Sequence, residues 1–536
     1  MKTARHRTPP DPARSGRCTV CPMRRLAPSI SGLTLGLLAF TVTFVVRVKA
    51  DDVWWHLATG ERILATLSIP RANTFSFTAP DFPWLAHEWL SEVLFAAVYR
   101  LGPGPLQLLA VGLQVAAFAL LARLARRDGN GPVAAAWLTA GAALLLLANF
   151  SIRPYLLGNL ALLLTLLLAE RAPPDPARAE RGPGPPRGTS TSGVITSDGS
   201  TPLTMNGASR RPGSTDRFGV SGGRLALLVA LYAAWANLHG SFVFGLGVLG
   251  LWALAATVRR EQPGRRWAEL AVATLACLLT PHHVHGLVFP FTYLWASLRT
   301  DSSFLAEILE WQRVSPATPL GLLLLAAFAA AVGVVLRSKL RPKLEHALLF
   351  AAFGLAAFSA VRNVALAGVA LAVLLPRHLA ALTAGRPSTA EALEQATSAL
   401  VPMGAWAVAA LVALVPGPPL ATLSPDFAPQ GLLAHLARRP PGRLFNAFNW
   451  GGALIHAGRP VFIDQRNDCY PPQVLRDYFT VHRLEPGWQE VLDRWQIDAV
   501  AWPAGGRLAD ALDADARWRV EYEDPQSVLY VRRRSP

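Results

Sequence analysis

The chain is expected to be an all-α polytopic membrane protein of about eleven transmembrane helices with a small C-terminal α/β domain. Three observations predict this. Of its 536 residues 52% are hydrophobic and only 16% charged, with a mean hydropathy of +0.30, too apolar for a soluble protein of this length. Long apolar runs recur up to position 416, and the polar stretches between them alternate between clustered arginines and stretches of acids, histidines and lone arginines. From about position 421 the composition becomes that of a soluble domain.

The formal charge of +16 does not point to nucleic acid. Its arginines lie in short clusters between apolar runs, with no stripe and no reader motif, and act as topology signals. Four cysteines are too few for a disulfide framework. Cys18 and Cys21 form one CxxC with no second pair to complete a zinc site, Cys277 falls in a span and Cys469 stands alone.

The elements follow in order. Residues 1–26 form a basic tail with Lys2, Arg5, Arg7, Arg14, Arg17, Arg24 and Arg25, which is retained in the cytoplasm. The transmembrane domain runs over 27–416. Its first span, Ala27 to Val48, suffices to cross a ~30 Å hydrocarbon core at ~1.5 Å per residue. It is too long for a signal-peptide core and lacks a clear cleavage site. The first external loop, 49–104, opens on Asp51-Asp52-Val53-Trp54-Trp55-His56. Val53 to Leu67 is suited to an interfacial helix with Trp54 and Trp55 at headgroup level. Ser68 to Trp84, with Pro70, Pro80 and Pro83, is a loop, and His87-Glu88-Trp89-Leu90-Ser91-Glu92 opens a second interfacial helix ending near Leu101.

The second span (Pro105 to Leu124) returns to the arginines at 123, 126 and 127. The third (Pro132 to Phe150) exposes Ser151-Ile152-Arg153-Pro154, and the fourth runs from Tyr155 to Ala169. Arg171 to Arg224 is rich in Pro, Gly, Ser, Thr and Arg and is expected to be a disordered cytoplasmic loop. Spans at Leu225 to Ala236 and Phe242 to Val258 bracket Asn237-Leu238-His239-Gly240 outside. The seventh, Trp267 to Leu279, delivers Pro281-His282-His283-Val284-His285, then an aromatic stretch and Glu307-Ile308-Leu309-Glu310-Trp311-Gln312-Arg313. The eighth (Leu320 to Leu336) meets a basic cluster, the ninth (Leu344 to Ala360) presents Arg362-Asn363, and the tenth returns to Arg377. The eleventh, Leu400 to Val415, leaves 421–536 outside. There Arg443 to Phe448, Pro460 to Ile463, Asp498 to Trp502, Trp518 to Glu523 and Val528 to Arg532 read as strands, with helices at Pro472 to Thr480 and Trp488 to Trp495.

Ionisable residues at the outer ends of spans are costly unless they line a wet cavity, so their gathering on one side is a site hypothesis. Asp52 stands out, because a carboxylate beside another gains nothing structural and suffers repulsion. His282, His283 and His285 offer metal-ligand chemistry, but neighbouring histidines seldom all reach one ion, and metal is not favoured there. Asn449-Trp450-Gly451-Gly452 reads as a strand end turning into a helix, with N–H groups for an anion, or as a tight turn beside a pair of Asp464 and Arg466, with Asn446 and Tyr470 in the same cluster.

An Asp-Asp directly after the first span, then interfacial helices and many spans, resembles the GT-C class of membrane glycosyltransferases. That class includes protein O-mannosyltransferases, aminoarabinose transferases and oligosaccharyltransferase catalytic subunits. The run Asp52-Val53-Trp54-Trp55-His56-Leu57, with Gly60, Ile69-Pro70, Phe75-Ser76 and His87-Glu88-Trp89-Leu90, is also similar to uncharacterised bacterial membrane proteins grouped with that class. The resemblance covers Leu26 to Arg377.

It implies an inverting transfer of a sugar from a polyprenyl-phosphate donor to an extracytoplasmic acceptor, at the outer leaflet of the inner membrane. Asp52, with Asp51 as alternative, would be the general base. Arg153, Arg362 and Arg313 would meet the leaving phosphate. His56 and Glu88 would orient the acceptor or the base, and Trp54, Trp55, His87, His239 and His283 would contact substrate or acceptor. Metal-dependent members carry a further acidic motif on the second external loop, where this chain has Ser151 and Arg153. A metal-independent transfer with no cofactor is therefore favoured, with a divalent metal as the alternative. Two other classes remain open: a transporter or flippase of lipid-linked envelope intermediates, for which no internal repeat speaks, and a non-catalytic envelope-assembly protein.

Overall fold

A computed structural model describes residues 52–147, 151–170, 222–298, 309–384 and 428–533. The first and eleventh expected spans, Asp51, Glu307, the CxxC and positions 171–221 of the expected cytoplasmic loop lie outside these residues.

The described chain is mostly helical, with one small sheet. Helices α1 (Val53–Thr66) and α2 (Trp89–Tyr99) pack closely. A Cβ on Gly60 of α1 would overlap the Glu92 carbonyl and the Ala96 methyl of α2, so only glycine permits this approach. The bundle continues with α3 (Pro103–Ala125), α4 (Pro132–Leu147), α5 (Tyr155–Ala169), α6 (Gly222–Leu238), α7 (Phe242–Arg259) and α8 (Pro263–Ala276). It closes with α9 (His283–Leu298), α10 (Pro319–Ser338), α11 (Leu344–Ser359) and α12 (Val364–Thr383).

Among the described residues, four helical segments are long and apolar enough to cross a membrane: α3, α7, α10 and Val361–Thr383, which contains α12. The other helices at expected spans are shorter. The aromatic stretch after His282 is itself a helix, α9, with Pro290 inside it.

Leu163, Leu166, Tyr232, Val248, Leu349 and Ala372 are buried where α5, α6, α7, α11 and α12 meet. Helix α10 buries only Gly321, Leu324 and Ala331 and turns Leu322, Leu323, Leu325 and Leu336 outward, a pattern suited to lipid surroundings. The clustered arginines also clamp helix ends. Arg127 pairs with Glu170 at 3.0 Å, Arg266 with Glu269 at 3.0 Å, and Arg259 with Glu345. Arg224, expected in the polar loop, lies in α6 and pairs with Glu269 at 2.7 Å.

The C-terminal part contains α13 (Gln430–Arg438), β1 (Leu444–Asn446), α14 (Gly451–His456), α15 (Pro472–His482) and α16 (Trp488–Arg494). Then come β2 (Ala499–Pro503), α17 (Arg507–Asp513), β3 (Trp518–Glu523) and β4 (Ser527–Arg532). The sheet order is β1-β2-β4-β3, with β1 and β2 parallel and the remaining pairs antiparallel. Asp524 shapes the β3–β4 hairpin by accepting from the Gln526 and Ser527 amides.

The segment Pro460 to Ile463, expected as a strand, is not in this sheet. Val461 bridges in parallel to Ser76 of the first loop, and its apolar run is buried against that loop. Trp55, Ala79, Trp84 and Ala86 of the first loop accordingly share one core with the C-terminal domain. The tryptophan pair expected at headgroup level is covered instead: Trp55 is buried in that core, and the Trp54 ring lies 4.9 Å from that of His456.

Candidate active site

Asp52 occupies the N-cap of α1, yet its side chain makes no capping bond. Val53 and Leu57, one turn apart, pack with Phe95, Leu106, Ile152 and Leu156, which pins the start of α5 beside the start of α1. The Ser151 amide donates to the Tyr155 hydroxyl at 2.7 Å and shapes the turn that carries Arg153. Arg153 Nε therefore lies 2.9 Å from Asp52 Oδ2, while its Nη1 donates to Glu310 Oε2 at 2.6 Å.

Glu310 sits on the 3-10 turn Leu309–Trp311. That segment is tied to the α11–α12 connection by the Val361 amide donating to the Gln312 carbonyl (3.0 Å) and the Val314 amide to the Phe358 carbonyl (3.1 Å). The connection carries Arg362, whose guanidinium stacks 4.3 Å from the Trp311 ring centre and lies 3.8 Å from Glu310 Oε1. Two carboxylates and two guanidinium groups thus interleave. Burial works to raise the Glu310 carboxyl, but Arg153 and then Arg362 outweigh it and hold it below the usual carboxylate range. Arg313, expected beside them, is exposed and enters no ion pair among the described residues. Arg313 lies just past that turn, and Glu310 is the residue of this segment that faces the arginines.

A second group centres on Glu88. His239 Nε2 lies 3.3 Å and His87 Nε2 3.6 Å from its Oε1, and His56 Nε2 lies 3.9 Å from its Oε2. His56 Nδ1 is also 3.4 Å from Glu92 Oε1, and Trp55 stacks on the His56 ring at 3.6 Å. Trp89 Nε1 donates to Asn237 Oδ1 at 2.7 Å and Ser91 Oγ to the Leu238 carbonyl at 2.6 Å, which draws the His239 turn onto α2. Gly158 of α5 makes room for that turn, since a Cβ there would overlap Ser241 Oγ. The Ser241 amide donates to His239 Nδ1 at 3.1 Å. The assigned tautomer then carries its hydrogen on Nε2, directed at Glu88.

Burial drives His56 down to about 3 and His239 down to about 4, so both are neutral near neutral pH. Burial alone would lower His87 too, but the Glu88 carboxylate opposite outweighs it and raises the imidazole. Burial likewise works to raise Glu88, and the facing histidines, His87 first, bring it well below the carboxylate range. The group therefore sets His87, whose charged form the Glu88 carboxylate favours, and Glu88 between two neutral imidazoles. Arg153 contributes to lowering His56 and Arg362 to lowering His239, so the two groups share one electrostatic field.

His283 stands apart. It is exposed at the start of α9, its Nδ1 3.4 Å from the Leu278 carbonyl, whereas His282 Nε2 reaches the Ala86 carbonyl at 3.3 Å. His282 precedes α9 and His283 opens it with a left-handed backbone (φ 45°), so the two imidazoles leave the chain in different directions. Among the described residues no set of three or more His, Cys, Asp and Glu is placed to hold a metal ion. In the C-terminal cluster Asp464 accepts from Arg466 Nε at 2.8 Å, from Arg466 Nη2 at 2.6 Å and from the Tyr470 hydroxyl. The Gly452 amide donates to Gln465 at 3.2 Å, so this turn is a structural joint. Asp468, which no motif marked, comes close enough to His87 to favour its charged form.

The depressed histidines make a pH prediction. The unfolded chain protonates His56 and His239 near their ordinary value of 6.5, the folded chain only near 3 and 4. Between those values the unfolded state binds more protons, so stability falls as pH falls through that window. His87, raised by Glu88, works the other way and loses its contribution as pH rises past its folded value. The unfolding midpoint in detergent is expected to drop from about pH 7 to about pH 4.5, and His56→Gln or His239→Gln should each flatten the slope by about one proton. An unchanged slope in both variants would count against neutral burial.

No family model matches the chain, and no curated protein matches it. Among solved structures it is similar to the archaeal oligosaccharyltransferase AglB from Archaeoglobus fulgidus in complex with an inhibitory peptide and a dolichol-phosphate, with 12% identity, 90% of this chain and 70% of that chain covered, and a TM-score of 0.49. It is also similar to ArnT from Cupriavidus metallidurans bound to undecaprenyl phosphate, with 12% identity, 94% of this chain and 98% of that chain covered, and a TM-score of 0.47. Both structural neighbours are GT-C glycosyltransferases.

Proposed function

We propose that this chain is a glycosyltransferase of the cytoplasmic membrane that moves a sugar, with inversion, from a polyprenyl-phosphate donor to an acceptor outside the cytoplasm. The observation that supports it is the convergence of Asp52, Arg153 and Arg362, far apart in sequence, around the Glu310 turn. In this reading the N-terminus is cytoplasmic and the site and C-terminal domain face outward.

The donor phosphate docks on Arg153 and Arg362, whose guanidinium forks match its oxygens. An acceptor hydroxyl attacks the anomeric carbon as Asp52 takes its proton. The bond from that carbon to the phosphate oxygen breaks, its electron pair stays on the phosphate, and the guanidinium groups stabilise the charge that develops there. The facing pair of His87 and Glu88, with the Nε2 hydrogen of His239, orients the acceptor. Positive charge for the leaving group comes from arginine, which accommodates the basic Arg153 on the second external loop.

Purified parent, Arg153→Ala and Arg362→Ala proteins would be titrated with radiolabelled polyprenyl-phosphate sugars. Each loss of a charge-assisted contact is expected to weaken binding about tenfold or more. Parent affinity in both variants would remove the phosphate assignment.

A further inference from the structure

We infer that Glu310 is a built-in competitor of the lipid phosphate: it holds Arg153 and Arg362 between turnovers and reclaims them to expel the product. This inference rests on the glycosyltransferase reading. One carboxylate serves both cations, with Oε2 2.6 Å from Arg153 Nη1 and Oε1 3.8 Å from Arg362 Nη1. The tether through Val361 and Gln312 holds it beside Arg362, so its effective concentration far exceeds that of any free anion.

The chemistry of the reaction gives this arrangement a purpose. A polyprenyl-phosphate sugar is a phosphodiester with one negative charge. Transfer converts it to a phosphomonoester, which carries ~1.5 to 2 negative charges near neutral pH. Two guanidinium groups arranged to stabilise the developing charge therefore hold product more tightly than donor, and an unopposed pair would trap it. An ionised carboxylate between them lowers the affinity for both lipids and restores release. The same exchange acts on Asp52: when phosphate draws Arg153 away, the carboxylate 2.9 Å from Arg153 Nε is released to meet the acceptor hydroxyl. Glu310 is thus a positioning residue that acts through the arginines.

The test uses the purified full chain in detergent, titrated with undecaprenyl phosphate. Glu310→Gln is expected to bind it about five- to twentyfold more tightly. Its steady-state turnover should fall with product release limiting, whereas Glu310→Asp, which keeps a competing charge, should bind undecaprenyl phosphate within about threefold of the parent. Inorganic phosphate should shift in the same direction and uncharged undecaprenol not at all. If Glu310→Gln does not reach the parent's unfolding midpoint, Glu310→Ala takes its place. Parent that binds undecaprenyl phosphate, with neutral variants that bind it no more tightly, overturns this inference alone, as does equal tightening toward undecaprenol. Parent that fails to bind undecaprenyl phosphate overturns the glycosyltransferase reading itself.

Discussion

Asp52→Asn is expected to lower sugar transfer by roughly 10² to 10⁴ while the protein stays folded. The substitution keeps size and hydrogen-bonding capacity near Arg153 and removes only the basic oxygen. In the proposed mechanism Asp52 is the base of the first loop. Glu88 is engaged by three imidazoles and held well below the carboxylate range, which suits orientation better than proton abstraction. Asp51→Asn should cost less. The assay follows label from polyprenyl-phosphate sugars into acceptor in a membrane extract, for parent and both variants. Unimpaired transfer in both would move the base to Glu88, and absence of any glycosylated product from the parent would favour transport.

Most of the residues that the fold gathers were legible in the sequence for one physical reason: ionisable groups at span ends are expensive, so each one marks a candidate. That reasoning marked Asp52, His56, His87, Glu88, Arg153, His239 and Arg362, which the fold gathers into two adjoining groups. What it lacked was the direction of each side chain. Arg313 and Glu310 share one short segment, and His282 and His283 are neighbours, yet only Glu310 and His282 point inward. The direction in which a side chain leaves an irregular turn is not written in local composition. The long-range contacts were equally silent. Trp55 in the first loop reads as an interfacial anchor until Trp84 and the C-terminal domain cover it, and Pro460 to Ile463 reads as a sheet strand although its partner is Ser76.

That covering domain carries the other large effect. Asp464→Ala is expected to destabilise the C-terminal domain and its docking by about 3 to 5 kcal/mol, because it removes the carboxylate hydrogen-bonded to a buried guanidinium. The Asp464 and Arg466 side chains are both 0% exposed. Asp464 accepts three hydrogen bonds from Arg466 and one from Tyr470, while Arg466 Nη2 also donates to Asn73 at 3.2 Å and its guanidinium lies 4.7 Å from the Trp84 ring centre. The network therefore joins the domain to the first loop, and Trp84 in turn packs on Trp55, the ring that stacks on His56. Its loss should loosen the histidine group around Glu88 as well as unfold the domain. A chemical-denaturation or thermal series in detergent would measure the first effect, and the pH slope attributed to His56 the second. Asp464→Ala/Arg466→Met is expected to recover part of the stability, since removing both charges leaves an apolar side chain between Phe75 and Trp84 where the guanidinium lay. A double variant no more stable than Asp464→Ala would mean that Arg466 earns its place through contacts with Asn73 and the aromatic rings, and that the ion pair is incidental to how the domain is held.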